Sequence, residues 1–442
     1  MEPKKQLKHC VALVFCFSMQ SAGADVAQYD VPPPPNILES KVKLVEPQGL
    51  LTLEQALSLS LLHNPMLQNF ALSTRVADVN TLRAGLFKNP ELDIEVENFL
   101  GSGPLRRFQQ TETTFSISQL FELGGKRSKR RALAETEYDL SIWDYEARRM
   151  DMIYLVATNY IKVLASQARL ELATETTKLA EEIYDTVVAR VKAGKVSPLE
   201  QSKSRVELAN ARLELARVKR ALVISKQNLA ALWGSVNPLF NNVSGNLFIT
   251  QKLPEYSEIQ ARLKNNPDLA RWEAEIERYR KAISLAKAKK IPDVTVMAGA
   301  RHFADQDDFA AVAGFSVPLF IFDNKQYGVD EANLLLTQGL QRRQAAGVEI
   351  RAALVENYQQ LQMSEIEIEA IKKEVLPSAK AALEAAKTAY RLGKIGSLDL
   401  LDAQRTLFQT SIQQLEVLAS YHLNVAKIER LIGGALNPAT TN

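Results

Sequence analysis

Cysteine is nearly absent from this 442-residue chain. Cys10 and Cys16 are the only two, so no later segment has a thiol for a disulfide or for thiolate metal ligation. Charge of one sign is also scarce, since 54 Lys and Arg oppose 51 Asp and Glu. This balance disfavours a nucleic-acid binder, which usually carries an excess of basic residues. Beyond the N-terminal segment, no apolar run approaches the roughly 18 residues of a membrane-spanning helix.

Histidine is equally sparse. His9, His63, His302 and His422 are scattered, and none has a second histidine, a cysteine or a glutamate at the spacing of a zinc site. The sequence also has no phosphate-binding glycine loop. We therefore expect no enzyme activity, no cofactor and no resident metal, and any energy for function has to come from a partner protein.

The first 24 residues have the composition of a secretory signal peptide. Three lysines precede the apolar stretch CVALVFCFSM, and Ala22 and Ala24 follow in an A-x-A arrangement. The alternative is a short buried helix. Lipidation is not expected, because neither cysteine follows a small residue. Residues 25–50 contain four consecutive prolines, which predicts an extended Pro-rich linker.

The remainder of the chain repeats itself, which indicates two tandem halves, 51–240 and 241–442. The prolines of HNPML and NNPDL lie 202 residues apart, and so do those of KNPELDIEV and KIPDVTVMA. Gly194 and Gly393, in the third pair of motifs, lie 199 residues apart. Three motifs recur in the same order: HNPML as NNPDL, KNPELDIEV as KIPDVTVMA, and KAGKVSPLEQ as RLGKIGSLDL.

Each half has the pattern of a helix, two strands and a long helical hairpin. Residues 126–193 contain neither glycine nor proline, so one helix of about 100 Å is expected there. The return arm, 199–233, has leucines at a seven-residue period, which is typical of a coiled coil. In the second half, Gly339, Gly347 and Pro377 predict kinks in the descending arm.

Four strands are predicted, and their side chains alternate between apolar and polar. Leu92, Ile94 and Val96 fall on one face of the first strand, opposite three acids. This pattern fits a half-buried sheet in a soluble domain, and it equally fits a membrane sheet with an apolar outer face and a wet inner face. The predicted strands cover approximately residues 91–99, 112–121, 293–302 and 310–320.

These features together resemble the TolC-type outer-membrane efflux channel family. The resemblance rests on the tandem halves, the Asn-Pro pairs at 64–65 and 266–267, the segments QLFELGGKR and VPLFIFDNK, and the tip GKIGSLDLLDAQRTL. The chain looks most like the outer-membrane component of cobalt–zinc–cadmium (heavy-metal) resistance–nodulation–division efflux systems.

The resemblance implies a mostly α-helical fold with a membrane β-barrel portion. Three protomers would each give four strands to a 12-stranded β-barrel in the outer membrane of a Gram-negative cell. Their helical hairpins would form a periplasmic α-barrel. The implied function is an exit duct for divalent heavy-metal cations, with a periplasmic adaptor (membrane fusion) protein and an inner-membrane pump as partners. Drug or solvent efflux and type I secretion are alternatives, and a soluble periplasmic coiled-coil scaffold is an alternative of another class.

The hairpin tips are the candidate functional sites. Ser197, Pro198 and Glu200 have the order of a capping box, and Asp399 falls in the first turn of the second returning helix. The resemblance implies that Asp399 and Asp402 line the periplasmic constriction, while Glu200 and Tyr390 hold neighbouring tips together. Ile395 departs from the family pattern, in which an arginine bridges the gate. Docking of adaptor and pump is expected at Gly194, Lys195, Val196, Ser197, Gly393, Lys394, Ile395, Gly396 and Ser397.

The basic segment KRSKRR, residues 126–131, begins the first long helix. Two interpretations stay open from the sequence. The cations contact lipid headgroups at the periplasmic membrane surface, or they are solvated charges of an exposed helix end.

Overall fold

The computed structural model describes residues 44–437. The predicted signal peptide and most of the predicted linker lie outside these residues. The chain forms two compact units. The hairpin unit contains residues 44–70, 145–267 and 348–437, and the sheet unit contains residues 71–144 and 268–347.

The elements follow the predicted repeat of helices, two strands and a hairpin. In chain order they are β1 (Gly49–Leu51), α1 (Leu53–His63), α2 (Pro65–Ala84), β2 (Glu91–Glu97), β3 (Glu112–Phe121), α3 (Lys126–Lys192), α4 (Pro198–Ala231), β4 (Phe240–Val243), α5 (Tyr256–Ala261), α6 (Pro267–Ala288), β5 (Val294–Phe303), β6 (Asp308–Ser316), α7 (Gln326–Ala370), α8 (Leu376–Arg391) and α9 (Ser397–Ile432). A π-helical turn, Ile371–Val375, joins α7 to α8.

The long helix α3 has 67 residues and spans about 100 Å at 1.5 Å per residue. It begins at Lys126, directly after Gly124 and Gly125, and it ends before Gly194. No helix within residues 44–437 is long and apolar enough to cross a membrane.

The Asn-Pro pairs tie each returning helix to the start of its repeat. Asn64 Oδ1 accepts a hydrogen bond from Leu67 N at 3.0 Å, and Asn64 Nδ2 donates to Leu232 O at 2.8 Å. Asn266 Nδ2 donates in the same way to Leu431 O at 2.8 Å. Each buried amide therefore satisfies a carbonyl at the end of a hairpin, while the following proline needs no hydrogen-bond partner at the first helical position.

Each half places a hydrophobic core where its hairpin meets the short helices. In the first half, Val156 and Val163 of α3 pack against Leu229 and Trp233, and β1 pairs in parallel with β4 beside them. Tyr160 crosses this core and donates its hydroxyl to Ser244 O at 2.6 Å. The second half repeats the arrangement with a core formed by Ile259, Leu354, Tyr358, Leu361, Tyr421 and Ile428.

The predicted kinks at Gly339 and Gly347 are wrong, because α7 runs through both glycines without a break. Gly339 instead permits close packing, since a Cβ there would lie 2.6 Å from Cε2 of buried Tyr279. The irregularity predicted at Pro377 is present as the π-helical turn immediately before it. Proline has no N–H and its ring crowds the carbonyl four residues earlier, so the wider turn relieves that contact.

In the sheet unit, four antiparallel strands lie in the order β2-β3-β5-β6. Leu92 pairs with Ile117, Ile117 with Ala298 and Ala298 with Ala313, so one face is apolar across all four strands. The opposite face carries Glu91, Asp93, Glu95, Glu97 and Glu112, with Arg301 as its one cation among these paired strands.

Two strands differ from the prediction by more than one residue. β2 ends at Glu97, where Asn98 takes a positive φ of 56°, and β6 covers Asp308–Ser316 in place of 310–320. Pro318 lacks the N–H that a continuing strand requires. The linker prediction also extended into β1, whose pairing partner β4 lies about 190 residues away in the chain.

Candidate functional site

The two hairpin tips have the same backbone geometry, and both belong to the hairpin unit. Lys195 N donates to Arg190 O and Gly194 N to Val191 O, each at 2.9 Å. Lys394 N donates to Ala389 O, and Gly393 N to Tyr390 O, at the same distance. These are the two hydrogen bonds of a Schellman motif, which closes a helix with a left-handed residue.

Glycine is required at the turning point of both tips. Gly194 has a φ of 67° and Gly393 a φ of 73°, a region that side chains with a Cβ disfavour. The residue offset between the tips is the 199 found in the sequence. The predicted correspondence of the two tips is therefore present in their backbone hydrogen bonds and in the left-handed glycine of each.

A small hydrophobic core lies directly behind the tips. Ile183 and Val187 of α3 pack against Leu383 of α8 and Leu400 and Leu401 of α9. The first hairpin thus contributes its descending arm to a core that it shares with both arms of the second. This packing fixes the positions of the polar side chains around it.

Arg190 joins the two hairpins, a role that was not predicted from the sequence. Its Nη1 donates to Tyr390 O at 2.5 Å, and its guanidinium lies 4.4 Å from the centroid of the Tyr390 ring. A hydrogen bond from a charged donor combined with a cation–π contact makes this a strong local link. The sequence signal was weak, because an arginine near a helix C-terminus is ordinary.

Glu200 and Tyr390, the two predicted latch residues, interact electrostatically. Tyr390 is 1% exposed, and this burial is the main cause that raises the pKa of its phenol. The positive charge of Arg190 acts to lower that pKa, and the negative charge of Glu200 acts to raise it. Within residues 44–437, the Tyr390 hydroxyl and Glu200 Oε2 are enclosed without a hydrogen-bond partner. The two side chains are therefore brought together, but they do not bond to each other in one protomer.

The predicted capping box at the first tip is only half formed. Ser197 Oγ accepts from Leu199 N at 3.2 Å, while Glu200 Oε2 has no partner within the described residues. At the second tip, the Asp399 carboxylate accepts from Gly396 N at 3.2 Å. Asp399 thus has the capping role that its position allows, and its side chain is still exposed.

Asp402 has no such structural role. It is exposed, and within the described chain it makes no hydrogen bond and no salt bridge. Arg405, one turn later on the same helix, is paired with Glu207 of α4 at 2.5 Å. Because that cation is already engaged, the charges of Asp399 and Asp402 stay uncompensated on one exposed helix face.

Most of the predicted docking residues face solvent. Gly194, Lys195 and Lys394 are exposed, whereas Ile395 packs against the core behind the tips and Ser397 is 1% exposed. Docking at these positions stays a prediction. The buried Ser397 side chain is the member least accessible to a partner in this conformation.

No group of three or more histidine, cysteine, aspartate or glutamate side chains is placed to hold a metal ion within residues 44–437. The two exposed acids of the second tip are suited to attracting cations electrostatically, since neighbouring carboxylates produce a local negative potential.

Comparison with known proteins gives one consistent result. Residues 56–235 and 259–434 each match the family model described as outer membrane efflux protein. The chain is 34% identical to the cobalt-zinc-cadmium resistance protein CzcC of Cupriavidus metallidurans, over 88% of this chain and 91% of that protein. It is 27% identical to the nickel and cobalt resistance protein CnrC of the same organism, over 63% and 65%.

Solved structures show the same fold. The chain superposes on CusC with a TM-score of 0.74 and 19% identity, covering 92% of this chain and 99% of that one. The open state of the Neisseria gonorrhoeae MtrE outer membrane channel gives a TM-score of 0.71 at 19% identity, over 88% and 91%. The family resemblance and the tandem repeat predicted from the motifs are confirmed.

Proposed function

Because this chain belongs to the outer membrane efflux protein family, we propose that it is the exit duct of a tripartite pump that exports divalent heavy-metal cations. It acts as a homotrimer in the outer membrane, with a periplasmic adaptor and an inner-membrane resistance–nodulation–division pump. The alternative of a soluble periplasmic scaffold is set aside, since the family is one of outer-membrane proteins.

The assignment of the cargo rests on the similarity to CzcC, a cobalt-zinc-cadmium resistance protein, which extends along 91% of the length of CzcC. The nickel and cobalt resistance protein CnrC supports the same class of cargo. Divalent cations also fit the uncompensated carboxylates of Asp399 and Asp402. No chemistry is required of a duct, so selectivity for one metal resides mainly in the pump.

The second tips form the narrow point of the duct in this proposal. Threefold repetition of Asp399 and Asp402 places six carboxylates around one axis, which draws cations and repels anions. Arg190 and Tyr390 hold each second tip against the first hairpin behind that ring, and Glu200 lies close enough to Tyr390 to act on it electrostatically. The Tyr390 hydroxyl and Glu200 Oε2 are enclosed within one protomer, so they become available to a neighbouring protomer only when the tips separate.

A strain that lacks this protein tests the cargo. We expect it to become sensitive to cobalt, zinc and cadmium salts and to accumulate these metals, with both defects reversed by the gene in trans. Cell metal content is measured beside growth with drugs and solvents. Unchanged metal tolerance combined with new drug or solvent sensitivity would assign the duct to drug efflux, and loss of a secreted protein would assign it to type I secretion.

A further inference from the structure

The proposed duct does not explain the charged and apolar residues in the segments that enter and leave the sheet at one end. Antiparallel pairing places the start of β2, the end of β3, the start of β5 and the end of β6 at one end of the sheet. Glu91 pairs with Ser118, Phe121 with Val294 and Thr295 with Ser316. The chain segments that enter and leave the sheet there are therefore neighbours, although they are far apart in sequence.

Part of the basic segment KRSKRR fixes this junction internally. Lys126 Nζ lies 2.6 Å from Asp293 Oδ1, and Arg130 binds both carboxylate oxygens of Glu122, at 2.5 and 3.0 Å. Arg130 Nε also donates to Ala84 O at 2.9 Å. Arg131 pairs with Glu135 on its own helix. These three cations are neutralised, so the segment as a whole is not a free basic patch.

Other cations at the same junction have no acidic partner. Lys88, Lys289 and Lys290 are exposed, and none of them forms a salt bridge in the described part of the chain. Lys88 is held at the junction by its carbonyl, which accepts from Gln119 Nε2 at 3.0 Å. Arg127 also lacks an acidic partner among residues 44–437, and its guanidinium lies 3.7 Å from the centre of the Phe87 ring.

Large apolar side chains are exposed in the segments that enter and leave the sheet at this end. Phe87, which precedes β2, is 74% exposed. Phe322, in the segment that follows β6, is 99% exposed. Phe121 continues the apolar sheet face of Phe115 and Ile117 down to this edge. Exposed apolar side chains and cations without an acidic partner therefore occur together in the segments at this end of the sheet, and Arg127 on Phe87 joins the two sets.

We propose that this collar, formed by Phe87, Lys88, Arg127, Lys289, Lys290 and Phe322, binds anionic phospholipid headgroups. An amphiphile with a phosphate and acyl chains matches both the cationic and the apolar side chains. The cations pair with the phosphate, and the aromatic rings contact the acyl chains next to it. Free phosphate would leave the exposed rings uncovered. The lipid is phosphatidylglycerol in the membrane leaflet that faces the periplasm, where the collar marks the end of the membrane-embedded sheet.

The proposal rests on the outer-membrane setting of the family and not on the metal cargo. It is tested on purified full-length protein in detergent, by native mass spectrometry with added phosphatidylglycerol or phosphatidylethanolamine of identical acyl chains. We expect at least tenfold tighter binding of phosphatidylglycerol, because several cations face one anionic headgroup. Added ammonium acetate should weaken this binding by screening the charges. Equal binding of both lipids by the natural protein would overturn the proposal without any variant.

The variant K88Q/K289Q/K290Q should lose at least tenfold in phosphatidylglycerol affinity and keep its phosphatidylethanolamine affinity. The matched control is R205Q/K219Q/R220Q, which removes three exposed cations from α4. Loss of phosphatidylglycerol by the control, or retention by the collar variant, would contradict the proposal. The conductance of the collar variant should equal that of the natural protein. Conductance therefore tests the duct, and lipid affinity tests the collar, so that failure of one proposal is distinguished from failure of the other.

Discussion

At the residue scale, the two predicted latch residues each keep one enclosed oxygen atom without a partner within the described chain. The Tyr390 hydroxyl and Glu200 Oε2 lack partners within residues 44–437, although each enclosed polar atom without a hydrogen bond costs about 1–3 kcal/mol. The core of Ile183, Val187 and Leu400 offsets this cost. Water or a neighbouring protomer would satisfy both atoms if the tips separated.

Arg190 should therefore control how easily the second tip moves. Replacing it by Gln removes the charged donor to Tyr390 O and the ring contact, each a favourable interaction, so the bilayer conductance of the purified trimer should rise about tenfold or more. Arg190→Lys keeps the charge but not the planar stacking, and an intermediate conductance is expected. Arg205→Gln, an exposed arginine on α4, is the control and should leave conductance unchanged. A natural conductance for Arg190→Gln would show that the link does not restrain the tip.

Asp399 and Asp402 should set the ionic selectivity of the duct. The double variant Asp399→Ala, Asp402→Ala removes six carboxylates per trimer, so the preference for cations over anions should fall towards none and block by trivalent cations should disappear. Reversal potentials in a salt gradient measure the selectivity, and current with added trivalent cation measures the block. The control Asp185→Ala, Glu374→Ala removes the same charge from exposed positions elsewhere in the hairpins. If both variants behave alike, the tip acids do not form the selective ring.

At the element scale, the helices show which sequence signals are reliable. The absence of glycine and proline predicted α3 to within one residue, because these are the residues that most disfavour a helix interior and the intervening sequence favours helix. Glycine inside a helix was a poor predictor. Gly339 lies in regular helix. Glycine is needed there because the Tyr279 ring, on another helix, leaves no room for a Cβ, and no local sequence pattern reveals that contact.

Gly339→Ala should destabilise the sheet unit. Its Cβ would meet the buried Tyr279 ring at 2.6 and 2.9 Å, and such overpacking costs about 1–3 kcal/mol, more than the roughly 1 kcal/mol that alanine gains in helix propensity. A lower midpoint of thermal unfolding is expected by circular dichroism. Gly328→Ala is the control, since nothing lies within 4 Å of its added Cβ, and it should match or exceed the natural midpoint.

The double variant Gly339→Ala, Tyr279→Ala separates the contact from other effects of the methyl group. Once the ring is removed, adding the methyl should cost nothing further. An additive loss in the double variant would show that the destabilisation does not arise at the Tyr279 contact.

At the scale of the whole molecule, the repeat was the most predictive feature of the sequence. It indicated two hairpins, two strand pairs and two tips, because related motifs fold alike and their offsets survive in the structure. Contacts between distant segments were not predictable. Arg190 meets Tyr390 across 200 residues, and β1 pairs with β4 through backbone atoms alone. The functional roles of the tip acids stay predictions.

The equivalence of the two tips has a consequence for symmetry. At the shared offset of 199 residues, Glu200 corresponds to Asp399, but Lys203 corresponds to Asp402. In the proposed trimer the six tips are therefore nearly sixfold related in backbone and only threefold related in charge. A ring-shaped partner that touches all six must read two alternating surfaces, so identical copies of it would occupy two unequal environments.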